Sequence, residues 1–268
     1  MLLYFNQNLA LDYHSNSQKI RIMSENWVVD NVYCVKCGNK LVHFENNKPV
    51  GDMYCEYCKE EFELKSNKAK LGKVIVDGAY STMINKIEND DIPNFFYLNY
   101  SINDFKVNNL LIIPKHFFTK NIIIKRRPLA STARRAGWVG CNINVSLIPE
   151  SGKLYLIKNG VEENKEKIIN DFNKMTFLRK SKGEFRGWLL DILKCIELLN
   201  KRTFSLNEVY SFEKFLALKH PNNKNVQAKI RQQLQILRDY GYLEFINRGE
   251  YRLIWNMFFI QLMGLRKI

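Results

Sequence analysis

The chain has 268 residues, 46% apolar and 25% charged, which suits one or two folded domains and excludes a disordered tail. Lysine and arginine number 41 against 27 acids, and the resulting charge of +14 points to a polyanionic partner, nucleic acid or an anionic membrane face. Six cysteines follow an N-terminus without a signal-peptide pattern, and no run of eighteen apolar residues is present; a cytoplasmic, metal-binding protein is expected, without disulfides or a membrane span.

Taken in chain order, a first helix starts at Ser15 or Ser17, with Ile20, Met23 and Trp27 at helical spacing. A cysteine-rich stretch occupies 33–65. A second helix is predicted over 78–90, where Ala79, Met83, Ile87, Tyr80 and Ile84 form an apolar stripe. Strands are predicted at Asn94–Tyr100, Val107–Ile113, Ile122–Ile124 and Leu154–Ile157, then a helix over 162–178 through Ile168, Phe172 and Met175. This alternation indicates an α/β layer fold. Glycine and charge over Lys180–Gly187 mark a boundary, giving domains 1–182 and 183–268. Beyond it, helices are predicted at Trp188–Leu199, Ser205–Leu218 and Val226–Tyr240, the last ended by Gly241. Leu243–Ile246 and Tyr251–Ile254 flank Asn247-Arg248-Gly249 as a hairpin. Three helices and a hairpin are the plan of a winged helix. The apolar tail 253–265 is too short to span a bilayer and carries Asn256 and Gln261.

Cys34-x2-Cys37 and Cys55-x2-Cys58 are seventeen residues apart, a spacing that suits a four-cysteine zinc site. Four thiolates leave the metal no open position, so its expected role is structural. Cys141 and Cys195 read as ordinary buried thiols. His43 lies between the pairs, where an HNH nuclease also nests a histidine. Here Phe-Glu-Asn-Asn follows, with no acidic-His pair, and that reading is set aside.

In Glu61-Phe62-Glu63-Leu64-Lys65 the alternation puts Phe62 and Leu64 on the core face and Glu61, Glu63 and Lys65 on the other. If Cys55 and Cys58 face each other across a turn, Asp52 falls opposite Glu61 and diagonal to Glu63. Two carboxylates and a lysine grouped in this way suit metal-assisted phosphodiester hydrolysis, because Mg2+ takes oxygen ligands. A solvated face with ion pairs has the same pattern, and the spacing leaves both open.

Between Phe105 and Pro149 there is no acid and there are eight basic residues, a one-signed stretch that suits a DNA-facing wall. It holds Arg126, Arg127, Arg134 and Arg135, with Trp138 as an apolar plane for a base methyl. In the second domain a recognition helix would present Asn222, Asn223, Lys224, Asn225, Gln227 and Lys229 to the major groove, with Arg231 one turn on and Arg248 at the hairpin tip.

Pro49-Val50-Gly51-Asp52 followed by Glu63-Leu64-Lys65 resembles the PD-(D/E)xK signature, although the proline and aspartate are not adjacent. HFENNKPVGDMYCEYCKEEFELKS, DGAYSTM, NFFYLNY, RRPLASTARRAGWVGCNI, FLRKS and KIRQQLQILRDYGYLEF resemble the DpnI-like family of methyl-directed type II restriction endonucleases, from about residue 4 to 253. The resemblance implies an α/β restriction-endonuclease-like nuclease domain with a four-cysteine zinc knuckle, followed by a winged-helix domain. It implies cleavage of double-stranded DNA at GATC sites carrying N6-methyladenine, with no small-molecule substrate. Asp52 and Glu63 match the magnesium ligands, with the Leu64 carbonyl beside them, and Lys65 matches the catalytic lysine. The tail has no counterpart in that family. A non-catalytic zinc-containing DNA-binding regulator is the competing reading, and the Asp52, Glu63 and Lys65 set separates the two.

Overall fold

Asn94–Tyr100 is buried at every residue, so neither face of this strand meets water and it belongs inside a sheet. The computed structural model describes residues 1–44, 51–68, 72–180 and 183–254. Pro49 and Val50 of the signature, and nearly all of the apolar tail, lie outside the described residues. Contacts divide the chain into two units. The first comprises Met1–Ile148 and Gly152–Thr176; the second comprises Pro149–Ser151 and the chain from Phe177 onward.

The first unit carries β1 (Val42–His43), β2 (Met53–Tyr54), β3 (Glu61–Asn67), β4 (Val74–Ala79), β5 (Asn94–Tyr100), β6 (Val107–Ile113), β7 (Ile123–Lys125), β8 (Gly140–Asn144), β9 (Leu154–Lys158) and β10 (Val161–Glu162). Its helices are α1 (Asn16–Asn31), α2 (Tyr80–Glu88) and α3 (Lys165–Lys174). Seven strands form one sheet in the order β1-β2-β3-β5-β6-β9-β10, and β4-β8-β7 form a second. Within the large sheet only β3 and β5 run parallel, and a parallel pair needs a crossover; here the chain between them passes through β4 and α2. Phe62 stacks on Phe96 and Phe95 packs on Phe118, so the β3–β5 seam is the aromatic centre of the core.

β5 and β6 have the predicted bounds. The helix expected over 162–178 is shorter: α3 ends at Lys174 and a tight turn follows over Thr176–Lys180. Ser15 does precede α1, but its hydroxyl pairs with that of Ser17 at 2.8 Å and caps no helix N–H. β4 and β8 were not expected. Val74 and Val76 are exposed while Ile75 between them is buried, so this all-apolar run has no polar alternation to reveal its core face.

The second unit contains α4 (Gly183–Leu199), β11 (Thr203–Ser205), α5 (Leu206–Tyr210), α6 (Glu213–Lys219), α7 (Val226–Asp239), β12 (Leu243–Asn247) and β13 (Glu250–Leu253). The helix expected over Ser205–Leu218 is two helices. Ser205 and Glu208 form a capping box at the start of α5. The Ser211 hydroxyl then donates to the Glu208 carbonyl at 2.6 Å, a competing bond of the kind that bends helices, and α6 begins after Phe212. The hairpin is present, with Arg248-Gly249 as its loop, and β11 adds a third strand in the order β11-β13-β12. Among the described residues no helix is long and apolar enough to cross a membrane.

Glu197 on α4 is buried, and its carboxylate accepts the N–H groups of Glu150 at 2.7 Å and Ser151 at 3.0 Å. Those bonds fasten the 149–151 segment into the second unit. Glu197→Ala removes a charged acceptor from two backbone donors and should lower stability by about 2–4 kcal/mol. A urea titration followed by circular dichroism checks this through the shift of the midpoint at constant slope.

Candidate functional site

The two CxxC loops repeat one hydrogen-bond pattern. Gly38 N–H donates to the Cys34 carbonyl and Lys59 N–H to the Cys55 carbonyl; Cys34 N–H donates to Asn39 and Cys55 N–H to Glu60, all at 2.7–2.9 Å. Each loop turns through a left-handed residue, Gly38 (φ 78°) and Lys59 (φ 60°). The result gathers the sulfurs of Cys34, Cys37, Cys55 and Cys58 within 4.8 Å of one another, with Cys34 to Cys58 at 3.4 Å and Cys37 to Cys55 at 3.5 Å. A tetrahedron with metal–sulfur bonds of about 2.3 Å has edges of roughly 3.8 Å, so this donor set fits zinc. Burial works against the Cys37 thiolate, but the Asn39 side-chain and backbone donors hold that thiol down to about 7. His43 is exposed on β1 and is not one of the grouped ligands.

The second loop sets the register of β2 against β3. Pairing runs Tyr54 to Glu61 and Met53 to Phe62, and the Asp52 N–H donates to the Phe62 carbonyl at 2.9 Å. Glu61 is therefore paired with Tyr54 and not with Asp52 as the sequence suggested, and Asp52 meets β3 at Phe62 and Leu64. The turn is two residues longer than assumed, because Lys59 and Glu60 belong to it. Glu60 also anchors the loop: its buried carboxylate accepts from Lys36 and from Asn94 on β5, both at 2.9 Å.

Phe62 and Leu64 are buried as expected, leaving Glu63 and Lys65 on the other face. Asp52 Oδ2 accepts the Leu64 N–H at 2.7 Å, which fixes the carboxylate beside Glu63. Lys65 Nζ contacts Glu63 Oε1 at 2.6 Å and Asp77 Oδ1 at 2.6 Å. Burial raises the Glu63 carboxyl above its usual range, against the pull of Lys65. Burial disfavours the Lys65 ammonium, yet Glu63 and Asp77 outweigh it and hold the lysine above its ordinary value. From α1, Arg21 Nη2 stands 3.7 Å from Asp52 Oδ1, and Arg21 Nε donates to Glu25 Oε1 at 2.6 Å. The sequence reading missed Asp77, Arg21 and Glu25. Asp77 lay in the DGAYSTM block, the one signal that pointed to it.

The acid-free stretch carries β7, β8 and the loop between them. Arg126, Arg127, Arg134 and Arg135 are exposed there, and Trp138 is half-buried, outside the core. Arg135 lies over the Trp138 ring at 4.6 Å. The ring edge rests on Gly140, where a Cβ would come within 2.8 Å of it. Leu129 N–H to Trp138 O at 2.9 Å and Arg126 N–H to Gly140 O at 3.0 Å close the loop base. Gly140 and Cys141 pair with Ala79 and Asp77 on β4, so the same strand supports the tryptophan and borders the lysine site.

On the second unit, Lys224, Gln227 and Arg231 are exposed along one stripe, which Gln232 and Gln235 extend. Two of these side chains have partners within the unit: Gln227 donates to Glu213 at 2.7 Å and Arg231 to the Tyr210 hydroxyl at 2.6 Å. Asn223 accepts the Asn225 N–H at 2.8 Å, just ahead of α7. Lys229 lies over Phe185, and Arg248 is exposed at the hairpin tip.

Two family models match the chain. The DpnI model, described as the Dam-replacing family, covers residues 1–181, and the DpnI C-terminal model, described as the Dam-replacing HTH domain, covers residues 184–253. With most of its length matched, and with a winged helix at its C-terminal end, the chain belongs to the DpnI, or Dam-replacing, family.

Proposed function

We propose that this chain is a restriction-endonuclease-like, Mg2+-dependent nuclease that hydrolyses duplex DNA at GATC sites carrying N6-methyladenine, with its winged helix as a second DNA reader. Family membership is consistent with methylation-dependent DNA cleavage at a coarse level, and the HTH domain with DNA binding. The observation that carries the finer reading is the geometry of β2 and β3: the Asp52 carboxylate bonded to the Leu64 N–H, between Glu63 and Lys65, which share the face opposite Phe62 and Leu64.

Asp52, Glu63 and the Leu64 carbonyl are the groups that would hold magnesium, and they suit it as hard oxygen donors. Bound there, the ion supplies Lewis-acid stabilisation of the phosphate and acidifies a water. The protein's own contribution is placement. The Leu64 N–H holds Asp52 Oδ2, and Oδ1, 3.7 Å from Arg21 Nη2, would be the oxygen it offers the metal. Lys65 stays protonated between its two carboxylates and offers its one remaining N–H to orient the attacking water. The four cysteines fill a complete tetrahedral set, so zinc in this reading is structural and fixes the turn between Asp52 and Glu63. Trp138 and the neighbouring arginines would face the DNA from the first unit; Asn223, Lys224, Gln227, Arg231 and Arg248 would do so from the second.

Asp52→Ala and Lys65→Ala should each cut cleavage of adenine-methylated plasmid by at least about 10²-fold while specific binding persists, because they remove transition-state stabilisation and not phosphate contacts. Mobility shifts beside a cleavage assay on methylated and unmethylated plasmid decide it, and near-wild-type cutting would move the active site elsewhere.

Elemental analysis should find zinc in the wild-type chain. Cys58→Ser should lose it and unfold at a lower temperature, since structural zinc contributes folding energy directly. Active protein purified without zinc contradicts this role.

Trp138→Ala should weaken binding to methylated DNA several-fold more than to unmethylated DNA. Gly140→Ala should act in the same direction, because its new Cβ meets the ring edge at 2.8 Å. Equal losses on both substrates would make Trp138 a packing residue.

A further inference from the structure

Asp77 stands apart from the Asp52, Glu63 and Lys65 signature and reaches the site from another sheet. It lies on β4, the edge strand of β4-β8-β7, where the ladder is irregular: Asp77 pairs with Cys141, then Ala79 pairs with Gly140, so Gly78 is the extra residue of a bulge. Bulges re-aim side chains. At this one the Asp77 carboxylate is only 6% exposed and its Oδ1 is 2.6 Å from Lys65 Nζ. A carboxylate that far from solvent is held in the fold by its partner.

We infer that Asp77 is a positioning residue that holds the Lys65 ammonium over the active-site face, and this rests on the role proposed for Lys65. Lysine is a flexible four-carbon stem with a point charge, so one contact leaves its head free to swing. Glu63 supplies a first contact from the same strand, but it is also one of the oxygen donors proposed for the metal. Asp77 supplies a second contact from a different strand and is not needed for any other role. Two carboxylates on separate strands restrict the ammonium where one does not. Lys86 acts on Glu63 and Arg126 on Cys141 through charge alone, and among the described residues neither contacts Asp77. The bulge also ties the lysine to β8, the strand that supports Trp138.

The test uses the full-length protein with Asp77→Asn, which preserves size, and Asp77→Glu, which preserves charge. Asp77→Asn should lower single-turnover cleavage by about 10²-fold, the scale of a misplacement of about 1 Å. Its affinity for methylated DNA and the magnesium concentration for half-maximal rate should not change, and Asp77→Glu should recover part of the rate. In metal-free protein, reductive methylation of Lys65 followed by mass spectrometry should run several-fold faster in Asp77→Asn than in wild type. In a Lys65→Ala background the Asp77→Asn change should cost almost nothing further. Wild-type cleavage by Asp77→Asn overturns the inference, as does a loss that persists without Lys65 or a raised magnesium requirement, which would make Asp77 a scaffold or ligand residue. Lys65→Ala measured alone separates the two ideas: if it cleaves normally, the proposed active site is wrong, whatever Asp77 does.

Discussion

The register of β2 against β3 decides whether this site exists. Side chains alternate across a sheet, so a one-residue slip would carry Asp52 to the core face while Glu63 and Lys65 stayed on the other. β2 is two residues long and buries a single side chain, Met53, so burial alone carries little register information. The turn sets the pairing instead. Its hydrogen bonds between Cys55, Lys59 and Glu60 fix the loop length, its thiols join those of Cys34 and Cys37, and the Glu60 carboxylate ties it to Asn94 in the middle of the sheet. Under the proposed function, the four-cysteine cluster thus acts as a ruler for the catalytic set, and Asp52 takes its position from the turn that carries Cys55 and Cys58.

Under the proposed function, a cluster of acids is an awkward place to bring a phosphodiester. Asp52, Glu63, Asp77 and Glu25 converge around Lys65 and Arg21, while the chain as a whole carries +14. The two facts fit together. Carboxylates are needed where a divalent ion would sit, and the local repulsion they create is opposed by charge placed elsewhere. The acid-free stretch 105–149 carries eight cations and includes β8, the strand paired with β4 beside Asp77. Phosphates neutralised by such a wall release counterions, a gain that persists wherever the duplex lies along it.

Local patterns were legible in the sequence, and long-range geometry was not. β5 and β6 were bounded correctly because continuous apolar runs announce buried strands, and α7 because its apolar positions hold a helical period. The CxxC spacing was enough to group the four cysteines. The register error came from Lys59 and Glu60: nothing in their identity says that a lysine will adopt a left-handed turn and lengthen the loop. Asp77 was invisible as a partner of Lys65 because the contact joins two sheets and depends on a bulge, and the apolar run of β4 has no polar alternation to reveal its core face. The break between α5 and α6 falls where the Ser211 hydroxyl bonds the Glu208 carbonyl, a local event that the helical period cannot report.

Under the proposed function, the energetics of methyl recognition explain why one reader is too few. Burying one methyl contributes about 0.8 kcal/mol, a preference of roughly fourfold. A palindromic site methylated on both strands offers two, and additive reading gives roughly fifteenfold, still short of strong discrimination. Trp138 cannot exceed this by apolar contact alone. More selectivity requires a second engagement with the methylated site or a penalty on the unmethylated one, and the chain has means for both. The winged helix presents a separate polar stripe on α7, and two of its side chains, Gln227 and Arg231, are held by Glu213 and Tyr210 before any DNA arrives. Binding there must break those bonds or use the side chains as they are held. Held side chains lose less freedom on binding, which favours a matching surface, and they cannot swing to accommodate a mismatched one. Discrimination of this kind grows with the rigidity of the reader, so the contacts that occupy side chains of the recognition helix are compatible with its use as one.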